Sequence, residues 1–287
     1  MKQSTASYSA LTAESSEARN VVTSAVRAAD AVVVGAGAGL STAAGLEYGG
    51  ARFQRLFGDF IAAYGLRDMY SAGFHPFETL EERWAYWSRH VMANRYDQPK
   101  REVYRQLLSL LSGSNYFVIT TNVDSCFVLN GFDPDRVFAI QGDYGLFQCS
   151  IPCRAETWSN ERAVRAMVAQ QQACRIPVDL LPRCPWCGAP AMMNLRIDNR
   201  FVQDRKWDES AARYTSFLAA HETGRALYLE IGVGWNTPSI IKYPFWQRVH
   251  ANPEATYLTI NPEVAVPTEI QPRTIALHMD AAALLAN

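Results

Sequence analysis

Apolar residues recur at helical spacing over residues 11–29, where Leu11, Ala18, Val21, Val22, Ala25 and Val26 share a face. The pattern then gives way to the unbroken run Ala31-Val32-Val33-Val34, and that change of period predicts a helix leading into a buried strand. Further short, apolar, unalternating runs stand at 116–120, 137–140, 226–231, 257–260 and 274–277, as parallel strands covered on both faces do. Helical patterns separate many of them. Residues 51–112 carry several, including 78–87 and 101–111. Such alternation predicts an α/β fold with a doubly wound, Rossmann-type parallel sheet. The rhythm breaks between about 145 and 205, a stretch rich in cysteine and proline with few periodic apolar positions. The chain therefore divides into an α/β domain over 1–144 and 206–287, with a helical insertion at about 50–112, and a small module over 145–205.

The first strand runs into Gly35-Ala36-Gly37-Ala38-Gly39-Leu40-Ser41-Thr42-Ala43-Ala44-Gly45. Glycines at a strand end let backbone amides approach a pyrophosphate, because no Cβ intervenes; they equally suit tight packing of strand on helix. No Lys-Ser or Lys-Thr follows, which excludes a phosphate loop of the NTPase kind. The third glycine of the dehydrogenase fingerprint is also missing, with Thr42 in its place in the frame that starts at Gly37. Glu47 comes too early to be the ribose-binding acid of that fingerprint. A different dinucleotide mode is needed.

Cys149-x3-Cys153 and Cys184-x2-Cys187 have the spacing of a tetrahedral four-cysteine zinc site, and Gly188 permits the tight turn after the second pair. Four thiolates leave no open coordination position, so the zinc is structural; the alternative is four unrelated buried thiols. Cys126 and Cys174 stand outside the pairs and read as ordinary buried thiols.

Composition narrows the setting. With 287 residues, 48% hydrophobic and 19% charged, the chain has the make-up of a globular protein with room for one large domain and an insertion. A net charge of −1 gives no basic field for nucleic acid or an anionic membrane. Residues 1–9 lack the apolar core of a signal peptide, and no apolar run is long enough to span a bilayer. A reducing, cytoplasmic location is the expectation, and there cysteines serve metals or catalysis more than disulfides.

The run from Gly37 to Leu46 resembles the NAD-binding loop of the sirtuin family, and further blocks follow in sirtuin order. Thr120-Thr121-Asn122-Val123-Asp124 is similar to the sirtuin segment that follows the second strand. Ile140-Gln141-Gly142 falls where sirtuins carry a catalytic His-Gly, and the two cysteine pairs come next. Gly232-Val233-Gly234-Trp235-Asn236-Thr237 replaces the usual Gly-Thr-Ser loop, and Ile260-Asn261-Pro262-Glu263 resembles the strand end that holds the adenosine ribose. The resemblance spans about 31 to 280. It implies a sirtuin-like fold, NAD and zinc as cofactors, and a cofactor-binding set of Gly37, Ala38, Gly39, Ser41, Gly45, Arg52, Gly232, Gly234, Trp235, Asn236, Asn261, Glu263 and Asp280. Arg52 reads equally as a solvated arginine at a helix start, and Trp235 as a plug at the domain interface.

The departures from the family pattern carry the functional expectation. Gly45-Leu46 leads to Glu47-Tyr48-Gly49-Gly50-Ala51-Arg52 instead of Pro-Asp-Phe-Arg, and Gln141 replaces the histidine general base. This combination resembles the macrodomain-associated branch called class M. That implies a protein ADP-ribosyltransferase acting on lipoyl-carrier proteins of the glycine-cleavage type, with a functional link to a macrodomain protein. Asn122 would hold the nicotinamide ribose region and an ordered water, and Asp124 the nicotinamide carboxamide; both residue types also suit capping after a strand. A carboxamide such as Gln141 cannot accept a proton at neutral pH. Deacylation needs that proton taken and transfer to a ready nucleophile does not, so Asn122, Asp124 and Gln141 are read as a transferase centre. An NAD-dependent deacylase with another base, and a non-catalytic NAD or ADP-ribose sensor, remain the competing readings. His75, His90, His221, His250 and His278 read as exposed or capping residues, and Phe77, Trp84, Tyr86 and Trp87 as the packing of a helical cap.

Overall fold

The computed structural model describes residues 15–285; Leu11 of the predicted first helix and residues 1–9 lie outside that range. Helix α1 (Ser15–Ala28) delivers the chain into β1 (Ala31–Ala36), which is buried at every position. Strands β2 (Tyr116–Thr120) and β3 (Val137–Ala139) lie successively on one side of β1. Three strands of a smaller sheet come next in the chain: β4 (Gly142–Cys149), β5 (Thr157–Ser159) and β6 (Ala191–Leu195). Then β7 (Ala226–Ile231), β8 (Thr256–Asn261) and β9 (Thr274–His278) complete the large sheet on the other side of β1. All five pairings in the large sheet are parallel, in the order β3-β2-β1-β7-β8-β9. Its connectivity reverses between β1 and β7, and α/β sheets bind ligands at the carboxyl ends of the strands at such a switch point.

Both faces of this sheet are covered, which accounts for the unalternating strands. On one face Ala18, Val22 and Val26 of α1 and Val103, Tyr104 and Leu107 of α6 (Glu102–Leu110) pack on Val32, Val34, Leu227 and Leu229. On the other, Leu218 of α9 (Arg205–Ala220) and Phe245 and Val249 of α10 (Lys242–Ala251) pack on Val33, Ile119 and Tyr228.

The insertions share one core, a departure from the expected lack of apolar periodicity after residue 145. Phe53, Phe57 and Phe60 of α3 (Gly50–Tyr64) and Trp84 and Tyr86 of α5 (Leu80–Val91) are buried with Phe147 of β4 and Met193 of β6. Val164 and Met167 of α8 (Glu161–Gln170), one turn apart, belong to the same cluster. Thr79 starts α5 with a capping box to Glu82, and the Glu82 carboxylate accepts from Arg175 at 2.5 Å, joining the two insertions. Phe77 and Trp87 pack at the edge of this core, as a helical cap requires. His90 is a correction: it is fully buried at the heart of the cap, neither exposed nor capping. His221, by contrast, caps the end of α9.

Candidate active site

The glycine turn is a contact between two backbones. A Cβ on Gly37 would stand 2.6 Å from the Gly232 carbonyl oxygen, and one on Gly39 2.7 Å from Gly232 Cα. Gly232 adopts φ +61°, and a Cβ there would lie 2.3 Å from the Leu40 nitrogen. The loops after β1 and β7 therefore touch through main chain across the switch point, leaving Ala38, Gly39, Gly234, Trp235 and Asn236 exposed around the seam. At Gly37, Gly39 and Gly232 the space a Cβ would fill is taken by the opposite loop's backbone, so these glycines serve the loop contact, while Gly234 has open space beside it.

The short helix α2 (Ala38–Ala43) carries Ser41, the hub of a buried polar network. Asn122 donates from Nδ2 to the Gly37 carbonyl (2.9 Å) and to Ser41 Oγ (3.0 Å). Ser41 donates its single proton to Asp124 Oδ2 at 2.5 Å, so the Tyr104 hydroxyl, 2.9 Å away, donates to Ser41. Ser41 is then saturated, and the Asn122 amide is fixed with Nδ2 inward and Oδ1 presented as an acceptor. Asp124 Oδ1 accepts from the Cys126 amide at 2.9 Å, and Gln98 donates to the Asp124 carbonyl at 2.8 Å. Burial pushes the Asp124 carboxyl above the usual carboxylate range, against the opposing pull of the Ser41 and Cys126 hydrogen bonds.

Local backbone chemistry aims this segment. Thr120 Oγ1 donates to the Ala36 carbonyl and accepts from the Asn122 amide, turning the chain as soon as β2 ends. Ser125 holds φ 57°, a left-handed conformation that a non-glycine residue adopts only under constraint. Its hydroxyl donates to Asp143 at 2.8 Å, and Arg95 donates to the same carboxylate at 2.8 Å from a π-helical turn (Met92–Tyr96).

Gln141 sits half-buried between β3 and β4, stitched to the network's neighbours by main chain. The Ile140 amide donates to the Thr120 carbonyl, the Tyr144 amide to the Val123 carbonyl, and the Arg196 amide to the Gln141 carbonyl at 3.0 Å. Gly142 is obligatory beside it, since at φ +102° a Cβ would lie 2.0 Å from the Asn194 carbonyl oxygen. The buried histidine of the cap offers no substitute base. His90 Nδ1 bonds the Tyr86 hydroxyl at 3.1 Å, and burial lowers its pKa to about 3.

Arg52 is neither fully solvated nor free. Its guanidinium donates to the carbonyls of Glu47 (2.9 Å) and Ala93 (3.0 Å), bracing the loop after Gly45. Trp235 is 48% exposed and plugs no interface among the described residues; its ring lies 5.1 Å from Lys242 Nζ. Asn261 ends β8 beside Gly232, whose amide donates to the Ile260 carbonyl. Glu263 and Asp280 are exposed beyond the ends of β8 and β9, and Asp280 accepts from the Ala282 amide. Sequence reasoning missed Tyr104, Gln98, Arg95 and the pair Glu230–Lys242 beneath Asn261. Only the last left a signal, a charge in an otherwise apolar strand and a lone lysine after Ile240-Ile241.

The four paired cysteines converge, with every sulfur within 4.8 Å of the others and with Cys149–Cys187 and Cys153–Cys184 both at 3.6 Å. Tetrahedral thiolates about 2.3 Å from zinc stand about 3.8 Å apart, so this set fits the ion. All six cysteines are free of disulfides, and Cys126 and Cys174 are buried as expected. No helix among the described residues is long and apolar enough to cross a membrane.

The comparisons agree with this architecture. No protein-family model matches the chain. It is 41% identical to a protein ADP-ribosyltransferase of Staphylococcus aureus over 96% of this chain and 88% of that one. It is 32% identical to a probable bifunctional ADP-ribose hydrolase/ADP-ribosyltransferase of Fusarium oxysporum over 84% of this chain, spanning only 42% of that longer protein. Among solved structures, a Sir2 homologue in complex with NAD superposes with a TM-score of 0.58 at 16% identity, over 93% of this chain and 90% of that one. A mutant Sir2 homologue with 2′-O-acetyl ADP-ribose gives 0.60 at 16% identity, over 93% and 92%. With 41% identity over nearly its whole length, the chain belongs to the protein ADP-ribosyltransferases, built on the fold of the Sir2 homologues.

Proposed function

We propose that this enzyme transfers ADP-ribose from NAD to a protein acceptor with release of nicotinamide, and that the acceptor is a lipoyl-carrier protein. The observation that carries the reading is an amide at Gln141, whose flanking residues Ile140 and Tyr144 donate main-chain hydrogen bonds to Thr120 and Val123 of the segment that carries Asn122 and Asp124, with burial keeping His90 neutral. NAD brings a glycosidic bond whose cleavage develops positive charge on the ribose. The protein's part is to hold the two halves of the dinucleotide apart and in register. The Gly37–Gly39 and Gly232–Asn236 seam receives the phosphates. Asn122 offers Oδ1 to a ribose hydroxyl or an ordered water, and Asp124 accepts from the nicotinamide amide. Gln141 orients a hydroxyl without removing its proton. Asn261 and Glu263 take the adenosine ribose, Asp280 borders that end, and Arg52 fixes the loop that closes over nicotinamide. Cys149, Cys153, Cys184 and Cys187 hold a zinc ion that staples the inserted sheet.

The name of the Staphylococcus aureus relative supports a protein acceptor, and the choice of a lipoyl carrier rests on the class M resemblance alone. The Fusarium oxysporum relative, named for both transfer and hydrolysis of ADP-ribose, supports a functional link to a macrodomain protein that removes the mark. The test is labelling of a glycine-cleavage-type carrier with and without its lipoyl group, using NAD labelled in the adenosine half. Labelling of the lipoylated carrier alone is the expected result, and equal labelling of unrelated proteins refutes the assignment.

A further inference from the structure

Directly beneath the seam lies a charged cluster with no part in the steps above. Glu230, wholly buried on β7, accepts four hydrogen bonds: from Lys242 Nζ (2.5 Å), Asn261 Nδ2 (3.0 Å) and Thr259 Oγ1 (3.4 Å) on Oε1, and from Tyr257 Oη (2.7 Å) on Oε2. Three of these donors crowd on Oε1 and one reaches Oε2, with the ammonium balancing the carboxylate's charge. Lys242 is 3% exposed and its ammonium also faces the Trp235 ring, so the cluster ties α10, two strands and the loop after β7 together. The consequence for Asn261 is chemical. Turning its amide over would set a carbonyl oxygen against the carboxylate, so Nδ2 points inward. Oδ1, with no hydrogen-bond partner among the described residues and not sealed from solvent, is left for the outward side.

We infer that Glu230 is a positioning residue that makes Asn261 an acceptor only, and that this sets a preference for an unmodified adenosine ribose over a 2′-phosphorylated one. A ribose hydroxyl has a proton to give to Oδ1. A 2′-phosphate has only acceptors and negative charge, so it meets a carbonyl oxygen where it needs a donor. The inference rests on the reading that Asn261 faces the adenosine ribose.

The experiment measures binding by calorimetry, with ADP-ribose and 2′-phospho-ADP-ribose as probes, so no turnover is needed. Removing Glu230 alone would strand a buried ammonium and endanger folding. The variant is therefore Glu230→Gln combined with Lys242→Met, neutral on both sides. Once the carboxylate is gone, both amide orientations are open, which lowers ADP-ribose affinity by only about two-fold. The donor-outward form, rare in the parent, becomes common, and discrimination against the 2′-phosphate falls by about ten-fold or more. A merely structural role would weaken both probes alike and leave their ratio unchanged, and that result overturns the inference. Asn261→Ala separates the underlying reading. Unchanged ADP-ribose affinity in that variant shows that Asn261 does not meet the ribose, whereas a loss there with an unchanged ratio in the double variant sinks only the role of Glu230.

Discussion

Asn122 Nδ2 lies 3.0 Å from Ser41 Oγ, and because the serine proton is committed to Asp124, the amide has one stable orientation. That buried hydroxyl and the Gly37 carbonyl, which accepts from Nδ2 at 2.9 Å, together decide which atom of Asn122 faces the cleft. Ser41→Ala removes one of the two anchors of Asn122 and the hydroxyl partner of Asp124. Turnover of NAD should fall by about 100-fold, the scale of a misplaced reacting group. Asn122→Ala should fall at least as far. Steady-state nicotinamide release measures both, and a near-normal rate in either variant refutes the assigned geometry.

Asp124 links the same network to stability. Burial raises its pKa in the folded protein, so the fold binds this proton more tightly than the unfolded chain does. Its favourable contribution is complete below the unfolded value of about 3.9 and is lost as pH rises through the folded pKa. Asp124→Asn should therefore melt at a higher temperature than the parent at pH 7, with the difference vanishing near pH 4, while transfer activity drops. Melting curves across that pH range check the sign. A variant less stable at pH 7 would show that the ionised carboxylate is a net stabiliser.

Gln141→His restores a titratable group at the place where deacylating sirtuins keep their base. Transfer to a ready nucleophile gains nothing from it, so the rate of protein labelling should not rise. A gain approaching the roughly 100-fold typical of a general base would mean that proton abstraction limits transfer.

The cysteine cluster predicts one zinc per chain by native mass spectrometry, lost in Cys184→Ser. Structural zinc sites contribute on the order of 10 kcal/mol of binding energy that is also folding energy. Chelation should therefore uncouple melting of the inserted sheet from that of the large sheet. Full thermal stability after complete zinc removal would argue against a structural ion.

Gly232→Ala places a methyl group against the Leu40 backbone at a positive φ, where alanine is strained. ADP-ribose binding should be lost along with a measurable part of the stability, because neither main chain can retreat without opening the seam.

What could be read in the sequence is what local chemistry writes there. The Val32–Val34 run and its glycines, the Cys149–Cys153 and Cys184–Cys187 spacings, and the order of the Asn122, Gln141 and Asn261 blocks each occupy a few contiguous residues. The large sheet and the convergence of the cysteines follow from them. The support of the site is tertiary and leaves weaker traces. Tyr104 reads as one more core position of α6, yet its hydroxyl completes Ser41 from 63 residues away. Glu230 and Lys242 meet only because α10 folds back over β7. Val164 and Met167 carry too short an apolar face to signal a helix amid the prolines, and the partner core that makes α8 worthwhile lies in the helical insertion. His90 looked polar in sequence and is buried, because the tyrosine hydroxyl that satisfies its Nδ1 comes from the preceding helical turn.

The decisive measurement follows NAD in two channels at once, with a lipoylated carrier and an acyl-lysine peptide competing as acceptors. Nicotinamide release matched one for one by ADP-ribose covalently attached to the carrier, with the peptide left acylated, is the outcome required by an amide at position 141. Rapid loss of the acyl group to an O-acyl-ADP-ribose product, with no polypeptide labelled, would show that this pocket deacylates and that Gln141 does not direct the reaction.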